Sequence, residues 1–295
     1  VSDIRSVGVL GAGLMGSGIA GSAAAAGFRT VVRDVGEEPL ARGRKAIESS
    51  WAKLVEKGKL GGEARDAARA RLTMTTDLAA VGGCDLIIEA VTEDLEVKNA
   101  LWRELDAAAP EPTIFASNTS SLTIAAMAAA TRRPDRVVGL HFFNPVALMP
   151  LVEVVRTVTT SAETVERVVA FARELDKEPV LAKDSSGFIV NLLLVPFLLD
   201  AVRALERGVA TTADLDRAMQ LGCGHPMGPL TLLDFVGLDT VCRIGEIMFD
   251  EYREARYAPP PLLRRMVLAG MYGRKSGRGF YDYSVTPPVP AALGL

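Results

Sequence analysis

The feature that most constrains this chain is a glycine string in a particular setting. Gly11-Ala12-Gly13-Leu14-Met15-Gly16 directly follows a short β-rich run (residues 7–10) and leads into an Ala-rich helical pattern (17–26) that Gly27 closes as a helix C′ residue. Each glycine removes a Cβ at a crowded point. Gly11 permits the tight turn, Gly13 lets backbone approach a pyrophosphate, and Gly16 lets helix and strand pack closely, while the helix N-terminus offers N–H donors and a positive dipole. Leu14 and Met15 lie between these glycines, on the same cofactor-facing turn. A second β-rich run (30–32) leads to Asp34, about 20 residues beyond the string, where a carboxylate can accept hydrogen bonds from an adenosine ribose. The string, its flanking elements and the distal acid together predict a dinucleotide site. Asp34 would repel a 2′-phosphate, so NAD is expected rather than NADP; the neighbouring Arg33 should point to the other side of its strand.

The rest of the first half continues the alternation. Further β-rich runs at 85–89, 113–116 and 136–140 are separated by helical patterns, which predicts a Rossmann-type parallel sheet covered by helices. Runs at 151–155 and 179–181 around a helix at 162–175 extend the sheet beyond residue 150. After Asp184-Ser185-Ser186-Gly187 the patterns become helical, at 188–206, 213–220, 230–249 and 262–268. The expected organisation is an α/β domain over 1–185, a smaller all-α domain over 186–284 and a loose tail over 285–295, where Pro287, Pro288 and Pro290 break any periodicity. No internal repeat is visible.

Composition excludes several classes. A formal net charge of −3 provides no positive field for nucleic acid. Cys84, Cys223 and Cys242 have neither CxxC spacing nor an even count, so neither a disulfide framework nor a metal site is expected. The longest apolar stretch, 188–199, is interrupted by Asn191 and Pro196 and falls short of the roughly 20 residues a spanning helix needs. No charged-then-apolar leader opens the sequence, and a soluble enzyme of the reducing cytoplasm is the expectation.

Oxidising an alcohol by hydride transfer requires a base for the hydroxyl proton, and histidine suits that task near neutral pH. The chain has two. His141 follows the run at 136–140, at the carboxyl edge of the sheet where open α/β folds hold ligands. His225 lies in Gly224-His225-Pro226-Met227-Gly228-Pro229, which reads as a packed turn before a helix. His141 is therefore the candidate base. Asn191, an amide within an apolar helical run, would be costly to bury without a partner, which marks it as a second candidate.

At these residues a resemblance becomes specific. The strings SNTSSL (117–122), HFFNP (141–145), LVEV (151–154), GFIVN (187–191), GHPMGPL (224–230) and GRKSGRGFYDY (273–283) occur in the order and approximate spacing of the 3-hydroxyacyl-CoA dehydrogenase family, over residues 5–284. Within that family the sequence looks most like the bacterial single-function members acting on 3-hydroxybutyryl-CoA, with no hydratase sequence attached. The resemblance implies that His141 is the base, that Glu153 bonds its other ring nitrogen, and that Ser120 and Asn191 bond the substrate's 3-oxygen. It implies that Glu93, Lys98, Asn118 and Asn144 line the cofactor, and that Lys53 and Lys57 face the phosphates of coenzyme A. It also implies a homodimer built through the helical domain.

Two places depart from the family pattern. Where the family commonly reads MKLVEV this chain has Met149-Pro150-Leu151, and where it commonly reads GFxxNR it has Asn191-Leu192. Acyl chain length therefore stays open. So does the carrier: the same chemistry on an acyl-carrier-protein thioester or a free 3-hydroxy acid is the enzymatic alternative, and an NAD-binding sensor without turnover is the non-enzymatic one.

Overall fold

The computed structural model describes residues 3–294, in two compact units, one ending at Phe188 and one beginning at Ile189. The first unit is built on eight strands: β1 (Ser6–Leu10), β2 (Arg29–Arg33), β3 (Leu72–Thr75), β4 (Leu86–Glu89), β5 (Ile114–Ser117), β6 (Val137–Phe142), β7 (Leu151–Arg156) and β8 (Glu178–Lys183), in the order 3-2-1-4-5-6-7-8. Its helices are α1 (Leu14–Ala25), α2 (Glu37–Glu56), α3 (Gly62–Ala70), α4 (Ala79–Gly82), α5 (Leu95–Ala108), α6 (Ile124–Ala128) and α7 (Ala162–Glu174). β1, β4 and β5 are buried along their whole length, as strands covered on both faces must be.

The strands β1 to β6 run parallel, and the chain order reverses between β1 and β4, which opens the crevice typical of a Rossmann sheet. The last two strands depart from the all-parallel expectation. β7 is antiparallel to β6, and β8 is parallel to β7. The cause is loop length: residues 143–150 are too few for a crossover, whereas α7 gives β8 a crossover of its own. The short strand β3, with its half-exposed Met74 and Thr75, has too little apolar content to stand out in the sequence.

α1 presents Ile19, Ala20, Ala23 and Ala24 to the core, and these small residues let it lie close to the sheet. α2 packs on α1 through Leu40, Gly43, Ile47 and Trp51, a helical stripe of one face. Trp51 Nε1 donates to Gly21 O at 3.1 Å, and a Cβ on Gly43 would come within 2.7 Å of Ala12 O. α2 thus buttresses the glycine loop.

The second unit contains α8 (Val190–Glu206), α9 (Thr212–Cys223), α10 (Pro229–Val236), α11 (Leu238–Tyr252) and α12 (Pro261–Leu268), with its own core that includes Leu198, Leu199, Leu230, Leu233, Met248 and Phe280. The single helix expected over 230–249 is two. Gly237, at φ +106°, ends α10 and starts α11, a conformation that glycine tolerates best. His225 packs edge-on against Phe197 with ring centroids 5.5 Å apart, inside this unit. Within the stretch read as a loose tail, β10 (Val289–Pro290) pairs antiparallel with β9 (Tyr281–Asp282).

Candidate active site

The glycine loop shows three glycines with three different demands. Gly11 has φ +96°, and a Cβ on it would sit 2.6 Å from Ala90 O; a Cβ on Gly16 would sit 1.9 Å from Gly11 O. Both are required by the fold itself. A Cβ on Gly13 would meet nothing within 4 Å, so its absence leaves open space in front of the first turn of α1, where unpaired N–H groups point. The Asp34 carboxylate accepts from Ala12 N at 2.7 Å and from Val35 N at 2.7 Å, which ties the second strand's acid to the loop. A cavity of about 500 Å³ opens here, lined by Gly11, Gly13, Asp34, Ala90, Val91 and Leu101. Apolar walls beside a carboxylate and a glycine-rich helix start suit an adenosine diphosphate moiety, so the residues present fit NAD. Leu14, exposed, and Met15, half-buried, follow on the first turn; Arg33 also lines the cavity beside Asp34, against the expectation that it points away, and its Nε donates to Thr76 O at 3.3 Å.

At the carboxyl edge of the sheet, His141 and Glu153 are direct partners in the antiparallel ladder of β6 and β7. Nδ1 of His141 lies 2.7 Å from Glu153 Oε2, with the two residues 6% and 0% exposed. A carboxylate oxygen accepts, so the shared hydrogen sits on Nδ1 and the lone pair on Nε2. The rings of Phe143 and Phe188 flank the imidazole at centroid distances of 4.5 and 5.7 Å. The arrangement can take a proton at Nε2 while the buried carboxylate stabilises the resulting cation. His141 lies inside β6, which continues to Phe142 rather than ending at residue 140, because pairing with β7 prolongs it.

The loop after β5 is tied down by a second, ionic cluster. Glu93 accepts from the Ser120 backbone N at 3.1 Å, from Ser121 Oγ at 3.2 Å and from Thr119 Oγ1. Lys98 is buried between Glu93 Oε2 (3.2 Å) and Glu89 Oε1 (2.6 Å). Burial opposes ionisation of Glu93, but the Lys98 ammonium and the donors from Thr119 and Ser120 outweigh it and hold the carboxyl below its usual range.

Known proteins resemble this chain in both sequence and structure. Residues 6–185 match the model of the 3-hydroxyacyl-CoA dehydrogenase NAD binding domain, and residues 187–283 match that family's C-terminal domain. The chain belongs to the 3-hydroxyacyl-CoA dehydrogenase family. It is 51% identical to a Mycobacterium tuberculosis 3-hydroxybutyryl-CoA dehydrogenase, over 95% of this chain and 99% of that one. It is 47% identical to the human mitochondrial hydroxyacyl-coenzyme A dehydrogenase, over 95% and 91%. The crystal structure of (S)-3-hydroxybutyryl-CoA dehydrogenase from Ralstonia eutropha superposes with a TM-score of 0.92 at 41% identity, covering 96% of this chain and all of that one. As a member of this family the chain is an NAD-dependent dehydrogenase, with residues 6–185 as its NAD-binding domain.

The other residues indicated by the family resemblance are distributed as follows. Asn118 Oδ1 accepts from Phe142 N at 2.9 Å, which fastens the loop after β5 to the strand of His141. Asn144 is exposed, two residues beyond β6. Lys53 and Lys57 are both exposed, at the C-terminal end of α2. Asn191 is half-buried in the first turn of α8, in the second unit.

Four further residues, Glu89, Lys177, Asp184 and Ser186, support the site outside any motif that the sequence marks as functional. Glu89 is a carboxylate closing the apolar strand Leu86-Ile87-Ile88, and that contrast was a readable signal. Lys177 donates from Nζ to Val146 O (2.6 Å) and Met149 O (2.9 Å), pinning the loop between His141 and Glu153; burial lowers its proton affinity, against the opposing charge of Asp176. Asp184 accepts from Ile124 N (2.7 Å) and Ala125 N (2.6 Å), and burial pushes its carboxyl up, while Ser186 Oγ donates to Ser121 O at 2.7 Å. For Lys177, Asp184 and Ser186, only the folded chain brings the partners together.

Proposed function

We propose that this dehydrogenase interconverts (S)-3-hydroxybutyryl-CoA and acetoacetyl-CoA with NAD, using His141 as the proton acceptor in oxidation and the donor in reduction. The observation that carries this reading is the buried His141–Glu153 pair, 2.7 Å apart at the carboxyl edge of the sheet. NAD, when bound, supplies the hydride acceptor. Nε2 of His141 takes the hydroxyl proton, and Glu153 fixes the ring by its Nδ1 hydrogen bond and stabilises the imidazolium. Ser120 and Asn191 are assigned as donors to the 3-oxygen, where charge gathers as the proton leaves. Asp34, Glu93, Asn118, Asn144 and the turn Gly11–Gly16 are assigned to cofactor binding. Lys98 belongs with them, through its ion pairs.

Lys53 and Lys57 are assigned to the phosphates of coenzyme A, since two exposed cations a helical turn apart can meet an anionic group at a small desolvation cost. The short acyl preference is supported by the bacterial relatives, which are 3-hydroxybutyryl-CoA dehydrogenases. A cytoplasmic homodimer built through the helical unit completes the reading, and gel filtration with light scattering tests the dimer.

The decisive assay follows NADH oxidation at 340 nm with 3-ketoacyl-CoA substrates from C4 to C16 and with acetoacetyl-carrier protein. A maximal kcat/KM for acetoacetyl-CoA is expected. Preference for a long chain, for the carrier-protein thioester or for a free acid would reject the substrate assignment, and NADH binding without turnover would reject the reaction.

A further inference from the structure

We propose that Glu89 and Lys98 are positioning residues, which act through Glu93 to hold the backbone at Ser120 where its hydroxyl can meet substrate. The inference rests on the dehydrogenase reading for what Ser120 does, and on the network of hydrogen bonds and ion pairs for how it is held.

The segment from Ser117 to Leu122 crosses from the end of β5 toward α6 without regular structure, yet four consecutive backbone N–H groups in it are satisfied. Thr119 N donates to Ser117 Oγ (3.3 Å), Ser120 N to Glu93 Oε1 (3.1 Å), and both Ser121 N (3.4 Å) and Leu122 N (3.0 Å) to Thr119 Oγ1. Thr119 Oγ1 and Ser121 Oγ themselves donate to Glu93 Oε1, so one carboxylate oxygen organises the turn. The other oxygen, Oε2, faces Lys98 Nζ at 3.2 Å.

Lys98 in turn is oriented by Glu89. Its ammonium is 1% exposed, and Glu89 Oε1 lies 2.6 Å away. Glu89, fully buried, also accepts from Ser117 Oγ at 2.6 Å and from Val91 N at 2.8 Å. A buried carboxylate needs such a full set of partners, and a buried ammonium needs its carboxylates. The cluster therefore grips the turn at both ends, Glu89 at Ser117 and Glu93 at Ser120. The ionisable groups facing Glu93 are Lys98 from α5 and, across it, Glu89 from β4; the loop after β5 contributes hydroxyls and amides. Removing the ammonium leaves Glu93 in a desolvated place without its cation, so the carboxyl takes up a proton at a higher pH and loses one acceptor oxygen.

The test compares wild type with Lys98→Met, Glu89→Gln and the double variant, which removes both buried charges and serves if a single variant folds poorly. The first readout needs no ligand: the Ser120 amide resonance in the free protein, followed from about pH 5 to about pH 8. It is expected to stay flat in wild type and to titrate in Lys98→Met and in the double variant. The second readout is acetoacetyl-CoA reduction, in which His141 must enter protonated and so limits only the alkaline side. Lys98→Met should lose on the order of tenfold in kcat toward acid pH, with a raised KM for acetoacetyl-CoA at saturating NADH. Glu89→Gln should raise that KM with the NADH Kd held. A flat Ser120 resonance in both Lys98 variants with unchanged acetoacetyl-CoA KM would overturn the proposal, and so would a variant whose NADH Kd alone weakens. If wild type fails to reduce acetoacetyl-CoA while the Ser120 resonance titrates as expected, the positioning stands and the dehydrogenase reading falls.

Discussion

His141 and Glu153 sit opposite each other in the β6–β7 ladder, so the backbone register itself sets the 2.7 Å contact between Nδ1 and Oε2. Two strands paired by backbone hydrogen bonds hold these side chains more firmly than any loop could. Replacing Glu153 by Gln keeps the shape but permits the amide to donate to Nδ1, which favours the wrong tautomer. We expect kcat to fall by roughly 10²–10⁴-fold with the NADH Kd unchanged, measured by steady-state kinetics and fluorescence titration. Retained kcat would mean that the carboxylate only packs.

The glycine loop separates folding from binding at neighbouring positions. Gly13→Ala places a methyl in open space at φ −68°, so melting should stay close to wild type while NADH binding weakens by about tenfold or more, because the methyl occupies the pyrophosphate's approach. Gly16→Ala drives its Cβ to 1.9 Å from Gly11 O and should lower Tm or abolish soluble expression. Calorimetry and NADH titration on both variants check the contrast, which disappears if Gly13→Ala binds NADH normally.

Asp34 accepts two backbone hydrogen bonds and faces the cofactor cavity, so its loss removes a charge and loosens the loop. Asp34→Ala should reduce kcat/KM for NADH by about 10- to 100-fold while NADPH loses little, narrowing the discrimination between them. Equal losses with both cofactors would show that the carboxylate serves only the loop.

In the second unit, Asp234 is buried and accepts from Phe280 N and Tyr281 N (both 2.9 Å) and from Tyr283 OH (3.1 Å). Burial, assisted by the nearby Asp216 carboxylate, outweighs these donors and pushes its carboxyl up to about 6. The unfolded carboxyl titrates near its ordinary value, so between about pH 4 and 6 the folded chain holds a proton that the unfolded chain has lost. This group's contribution therefore favours folding most at the acid end and declines as pH rises through about 6, by up to roughly 3 kcal/mol. Asp234→Asn should flatten that part of the stability curve, as read by urea unfolding at about pH 4.5 and 7. An identical pH dependence in the variant would assign the effect elsewhere.

Much of this molecule is legible in its sequence, because local rules act where the chain is locally consistent. Gly11, Gly13, Gly16 and Asp34, set between a β-rich run and a helical pattern, announce a dinucleotide crevice, and the apolar strands β1, β4 and β5 announce a sheet covered on both faces. The reversal of β7 was less visible, since strand direction depends on whether residues 143–150 make a turn or a crossover. Glu89 stands out as a charge closing the apolar run of β4, but its partners, Lys98 and Ser117, belong to other elements and meet it only in the folded sheet. The run 230–249 reads as one helix because its apolar pattern continues across Gly237, whose positive φ separates two helices in the folded chain.

The most direct measurement of the central claim is NADH oxidation with acetoacetyl-CoA by wild type and His141→Ala, with NADH affinity measured on the same preparations. The account predicts turnover by wild type and a loss of about 10²–10⁴-fold in kcat for the variant, with the Kd for NADH close to wild type and a lowered Tm, because Glu153 loses its buried partner. A His141→Ala enzyme with near-normal kcat would contradict it and place the proton transfer on another group.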